Sequence, residues 1–183
     1  MKMNKTTRTN EKRSFIIDGL PKPLTRASSH LQIFDNYLGD TGLRLRSIRV
    51  PETKEWIRSI QQVRQGKNGG IAEIAAEIFL DETEYAQLEH LEGNEIRKNR
   101  YFYVQAERKF AFDVYLGPLW GLNVMFADLV ESWDPTETFP DLNVIAEITA
   151  NASFFGRGLV GRDLGFVRAE VSKLMENGTG HRA

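Results

Sequence analysis

The sequence predicts an α+β fold that is mainly antiparallel β, closed or nearly closed into a barrel with helices at its periphery. Three observations carry this expectation. About nine segments show the alternation, or the β-branched and aromatic content, of strands. The links "GDTG" and "QGKNGG" hold the glycine, aspartate and asparagine of tight turns, which makes their flanking strands antiparallel neighbours. Few segments switch to helical spacing, and a sheet of that many strands removes its exposed edges by closing on itself.

The elements follow in order. Residues 1–10 are polar and basic and are expected to form a mobile tail. Strands are expected at "KRSFIID" (12–18), "LQIFDNYL" (31–38), "LRLRSIRV" (43–50), "EWIRSIQQV" (55–63) and "IAEIAAEIFL" (71–80). The period then changes: "DETEYAQLEHLE" sets an acidic start before Tyr85, Leu88 and Leu91, a short amphipathic helix. Strands resume at 95–104, 108–116, 122–130 and 142–149, with "SWDPTETFPD" (132–141) as a long loop at a barrel mouth. The last element is the helix "DLGFVRAEVSKLMENG", in which Phe166, Val167, Glu170, Val171 and Leu174 recur every three or four residues and Gly178 supplies the stop. One domain is expected over 11–178, and 179–183 as a frayed end.

Composition narrows the classes of function. The 183 residues are 41% hydrophobic and 27% charged, which reads as globular. A net charge of −1 argues against a general electrostatic grip on nucleic acid. Without cysteine there are no disulfides, thiolates or cysteine-based zinc sites. His30, His90 and His181 are scattered, and "GLVGRDLG" follows no parallel-strand unit, so neither zinc nor a dinucleotide is indicated. The N-terminus has no apolar run and no segment reaches membrane-spanning length; a cytoplasmic protein without a membrane partner is expected.

Several strands carry charge on one face. In "LRLRSIRV", Arg44 and Arg46 share a face opposite Leu43 and Leu45; Lys98 and Arg100 sit together; Glu73 and Glu77 alternate with Ile74 and Ile78. Asp128 shares a face with Phe126, and Glu147 stands between Ile145 and Thr149. Two readings fit: a half-wet sheet with its charges in solvent, or a barrel whose lumen is lined by both signs of charge. Such a lumen suits a metal-bound polyanion, with carboxylates holding Mg²⁺ or Mn²⁺ and arginines and lysines holding phosphate oxygens.

The order of segments resembles the CYTH superfamily, the triphosphate tunnel metalloenzymes, which includes class IV adenylyl cyclases, thiamine triphosphatases and inorganic triphosphatases. The resemblance runs from about Glu11 to Asp163 through "RSFIIDGLP", "YLGDTGLRLRSIR", "AEIAAEIFLDETEYAQL", "IRKNRYFYV", "FAFDVYLGPLWGLNVMFADL" and "IAEITANASFFGRGLV". It implies an eight-stranded closed tunnel barrel holding a triphosphate beside divalent metal. By position, Arg44, Arg46, Lys98 and Arg100 would bind phosphate. Asp128, Glu147 and Glu73 would hold Mg²⁺ or Mn²⁺, while Lys12, Glu77 and Asp113 are further tunnel candidates. A homodimer is expected by analogy.

The departures fall mostly on the metal side. Where the family carries Glu-x-Glu-x-Lys on the first strand, this chain has Asn10, Lys12 and Ser14. The late Glu-x-Glu reads Phe126 and Asp128, the lysine of the fourth strand reads Gln61 or Gln62, and the middle acid of the fifth is Ala75. Losing metal ligands weakens hydrolysis more than anion binding. The expectation is a protein that binds a triphosphate, inorganic or organic, with weak or altered metal-dependent phosphohydrolase activity, cyclase chemistry being the less favoured form. The alternative is an inactive member that binds or senses a phosphorylated ligand or a protein partner.

Overall fold

The computed structural model describes residues 12–64, 73–105, 107–128 and 133–179, with the backbone alone for Lys12, Glu73 and 177–179. The expected tail over 1–10 and the end of the chain beyond 179 lie outside them. Nine strands are present: β1 (Lys12–Ile17), β2 (His30–Leu38), β3 (Leu43–Arg49), β4 (Trp56–Arg64), β5 (Glu73–Leu80), β6 (Gly93–Gln105), β7 (Arg108–Tyr115), β8 (Asn123–Asp128) and β9 (Val144–Glu147). Each lies where the alternation places it. The helices are α1 (Glu82–Leu88), α2 (Pro135–Thr138) and α3 (Leu164–Thr179), and among the described residues none is long and apolar enough to cross a membrane.

The strands form one antiparallel sheet in the order β5-β4-β3-β2-β6-β7-β8-β1-β9. Among the described residues no hydrogen bonds join β5 to β9, so the sheet has nine strands where eight were expected and is not closed into a barrel by hydrogen bonding. Packing covers its inner face at one end instead. Phe154, Phe155, Leu159 and Val167, from the segment that leads into α3 and from α3 itself, form a buried cluster with Ile16, Tyr37, Ile96, Tyr115 and Val124. At the other end of that face, Ile57, Phe102 and Val104 are exposed.

The outer face of β1, β7 and β8 carries a second cluster, with Phe15, Phe110, Phe112 and Met125 against Trp133, Phe139 and Leu142. Residues 133–141 thus pack as part of this cluster and not as a loop at a mouth; Ser132 lies outside the described residues. Trp133 (5% exposed) and Phe139 (4%) are core residues, and α2 starts beneath them with an Asp134 side chain accepting from the Thr136 backbone N–H. Hydrophobic burial decides this, since two aromatic side chains gain several kcal/mol, about 1.5–3 each, by leaving water. The starts of α1 and α3 follow local chemistry. Asp81 and Glu84 close a capping box on α1, and the Asp163 carboxylate accepts from the Phe166 N–H at the start of α3. The helix passes through Gly178 to Thr179 and does not stop at the glycine.

Candidate functional site

Register decides which side chains meet. β2 and β3 are joined by the turn 39–42, and their pairing sets Asp35 opposite Arg46 and Tyr37 opposite Arg44. On the other side of β2, Ile33 stands opposite Lys98 and Leu31 opposite Arg100; on β7, Tyr115 and Asp113 stand opposite the same two cations. Directly opposed residues share a face. Arg44, Arg46, Lys98, Arg100, Asp35 and Asp113 therefore lie on the inner face as one band.

Each carboxylate grips two cations. Asp35, 2% exposed, accepts from Arg46 Nε at 2.6 Å and Nη2 at 2.7 Å, and lies 3.5 Å from Arg44 Nη1. Asp113, fully buried, accepts from Arg100 Nε at 2.6 Å and Nη2 at 2.7 Å, and from Lys98 Nζ at 2.7 Å. The fork-on-fork geometry fixes both guanidiniums through the same edge. Among the described residues, Nη1 of Arg46 and of Arg100 has no protein partner. Arg46 and Arg100 retain 15% and 27% of their side-chain exposure, so these donors are within reach of a solute.

Arg44 is more completely committed. It donates from Nε and Nη2 to Gln61 Oε1 and from Nη1 to the Tyr37 hydroxyl at 3.0 Å. Gln61 in turn donates to Glu77. Of the two glutamines, Gln61 is the inward one, 2% exposed, while Gln62 is exposed. Phe126 faces the same side, with the Arg100 guanidinium 5.4 Å from its ring centre.

The charges are coupled. Burial pushes the Asp35 carboxyl up, but Arg46, Arg44 and Lys98 together hold it below the usual carboxylate range. Asp113 is treated the same way by burial and then by Lys98 and Arg100, which hold it far below that range. Burial lowers Lys98 despite Asp113, and Arg100 and Arg46 push in the same direction. Burial raises the Tyr115 hydroxyl well above normal, with the Asp113 charge adding to it, so it stays protonated. Four cations share two carboxylates, leaving the band with surplus positive charge.

The expected metal side is not assembled. Asp128 stands opposite Lys12 on the inner face, whereas Glu147 stands opposite Phe15 on the outer face. There Glu147 accepts from Arg13 Nε at 3.0 Å and Nη2 at 2.7 Å, so it does not join Asp128 around an ion. A register shift between Gln62 and Val63 pairs Glu77 with Gln61 and Glu73 with Arg64; the Glu73 and Lys12 side chains lie outside the described residues. Ser14 is fully buried, and its hydroxyl has no hydrogen-bond partner among the described residues. Among the described residues, no three His, Asp or Glu side chains gather for a metal. Of the inner carboxylates, Asp35 and Asp113 are held by cations, Glu77 accepts from Gln61, and Asp128 does not gather with them, so the described side chains form no ligand set for a protein-held divalent ion.

Asp35, Tyr37 and the role of Gln61 were not evident from composition or motif. The hairpin register held the signal: a four-residue turn at 39–42 sets Asp35 across from Arg46.

No family model matches the chain, and no curated protein matches it. The fold is similar to the crystal structure of the inorganic triphosphatase NE1496, with a TM-score of 0.52 and 19% identity over 81% of this chain and 92% of that one. A crystal structure of the hypothetical protein NE1496 is similar to the same degree, with a TM-score of 0.51 and 19% identity over 81% of this chain and 95% of that one.

Proposed function

We propose that the chain binds a triphosphate-containing ligand, inorganic or organic, on the inner band, and that binding is its principal activity. The observation that carries this reading is the paired exposure of Arg46 and Arg100, each locked by a buried carboxylate and each with Nη1 unpartnered among the described residues. Guanidiniums held in this way lose little rotamer freedom when they meet phosphate, so their charge-assisted hydrogen bonds are not offset by ordering cost. Lys98 adds a point charge behind them. Similarity to a protein named for acting on inorganic triphosphate supports the choice of polyphosphate over other anions.

Mg²⁺ or Mn²⁺ enters this reading as a counter-ion carried by the ligand's own phosphates, because the described side chains offer it no ligand set. The same similarity favours a second reading, a metal-dependent triphosphate hydrolase of low activity. The two separate in one experiment. The full chain is titrated calorimetrically with tripolyphosphate, with and without Mg²⁺ or Mn²⁺, while phosphate release is followed. The expected result is saturable binding that Arg100→Gln weakens about tenfold or more, with no turnover. Metal-dependent phosphate release selects the hydrolase; the absence of binding in every condition overturns both.

A further inference from the structure

A second basic site lies at the end of the sheet where the inner face is covered. Between the β2–β3 turn, the end of β4 and the start of α3 there is a cavity of about 440 Å³ whose lining includes Tyr37, Arg64, Phe155, Arg157, Arg162 and Phe166 and, among the described residues, no acidic side chain. Its volume is that of a small-molecule site, roughly 300–1,000 Å³. Its charge differs in kind from that of the band, where every cation is paired with a carboxylate.

Arg157 is anchored by neutral partners. Its Nη1 donates to the Gly39 carbonyl at 2.7 Å and its Nη2 to the Thr41 carbonyl, which orients the guanidinium without neutralising it. Arg162 is exposed, stacks over the Phe166 ring at 4.6 Å and donates no hydrogen bond to another described residue. Tyr37 separates this cavity from the band: its ring lies 5.7 Å from the Arg157 guanidinium, while its hydroxyl accepts from Arg44 on the other side.

We propose that this cavity is a second anion site, distinct from the band, for a small organic monophosphate with a planar ring. Arg157 and Arg162 meet the phosphate, with Arg64 across the cavity, and the aromatic walls of Phe155 and Phe166 receive the ring. Guanidiniums without a carboxylate partner among the described residues select the phosphate, and flat apolar walls select the ring.

The test uses the full chain titrated with AMP, inorganic phosphate and adenosine, in wild type and in the Arg162→Ala, Arg64→Ala and Arg100→Gln variants. AMP is expected to bind saturably, with phosphate and adenosine each about tenfold weaker or more. Arg162→Ala is expected to weaken AMP about tenfold and to leave tripolyphosphate affinity unchanged, Arg64→Ala to act in the same direction, and Arg100→Gln to leave AMP binding within about twofold. AMP that fails to saturate overturns the site. So does adenosine binding as tightly as AMP, or AMP binding lost in Arg100→Gln and kept in Arg162→Ala, which would assign the nucleotide to the band. Tripolyphosphate binding with no AMP binding would leave the triphosphate reading standing and remove this one.

Discussion

Arg46 and Asp35 face each other across β2 and β3, and the guanidinium holds both carboxylate oxygens through Nε and Nη2 at 2.6 and 2.7 Å. Asp35 is 2% exposed, while Arg46 keeps a path to solvent. The pair is thus asymmetric: the acid is an anchor and the base is a presented group. Arg46→Gln is expected to weaken tripolyphosphate about tenfold or more. Asp35→Asn is expected to destabilise the fold by about 3–5 kcal/mol, because it leaves buried positive charge uncompensated. Calorimetry and urea melts separate the two effects; equal effects on binding and folding in both variants would make the pair merely structural.

Asp113 makes the band sensitive to acid. Its folded carboxyl titrates below its unfolded value, as does that of Asp35. Between the two values the unfolded chain binds more protons, so stability rises with pH there. The contribution is complete above the ordinary carboxyl range, near pH 4, and is lost as pH falls through the lower folded values. Urea melts from pH 3 to 7 are expected to show a steep acid loss in the wild type. In Asp113→Asn the neutral-pH stability drops by about 3–5 kcal/mol and the acid slope flattens. An unchanged slope would mean that Asp113 is not charged in the fold.

Glu147 belongs to a different structure from the band. It is 43% exposed at the side chain, pairs with Arg13 on the outer face and accepts from the Thr149 hydroxyl. Glu147→Gln is expected to change stability by no more than about 1 kcal/mol, as for exposed pairs generally. Tripolyphosphate affinity, with or without Mg²⁺, is expected to stay within about twofold. A selective loss of the Mg²⁺-dependent part would bring Glu147 back as a metal ligand.

Gly156 lets Tyr37 reach Arg44. It has a left-handed φ of 45°, and a Cβ there would lie 2.9 Å from the Tyr37 hydroxyl. Gly156→Ala is expected to cost about 1–2 kcal/mol, from the left-handed conformation and the displaced tyrosine together. Tyr37→Phe should reproduce any loss of tripolyphosphate affinity without the backbone strain. Binding lost in Gly156→Ala and kept in Tyr37→Phe would place the effect in the segment 152–159 instead.

The strands were legible because alternation is a local property: the expected segments and the nine strands coincide to within one or two residues at most ends. That Arg44 and Arg46 share a face was legible for the same reason, whereas alternation left open whether that face is inward. The direction of Glu147 was not legible, since its strand pairing sets it opposite Phe15 and leaves no mark in spacing. Asp113 appeared as a candidate, but its partners come from β6, a neighbour established only by the sheet.

By itself, the sequence determined that this chain forms an antiparallel sheet with cations gathered on one face. The tertiary structure alone decided the order in which the strands pair, that Asp35 and Asp113 are each spent on two cations, and that three arginines from separate segments line one cavity. The reason is physical. Side-chain period follows from backbone geometry within a strand, whereas charge neutralisation and enclosure depend on which distant strands and segments pack together.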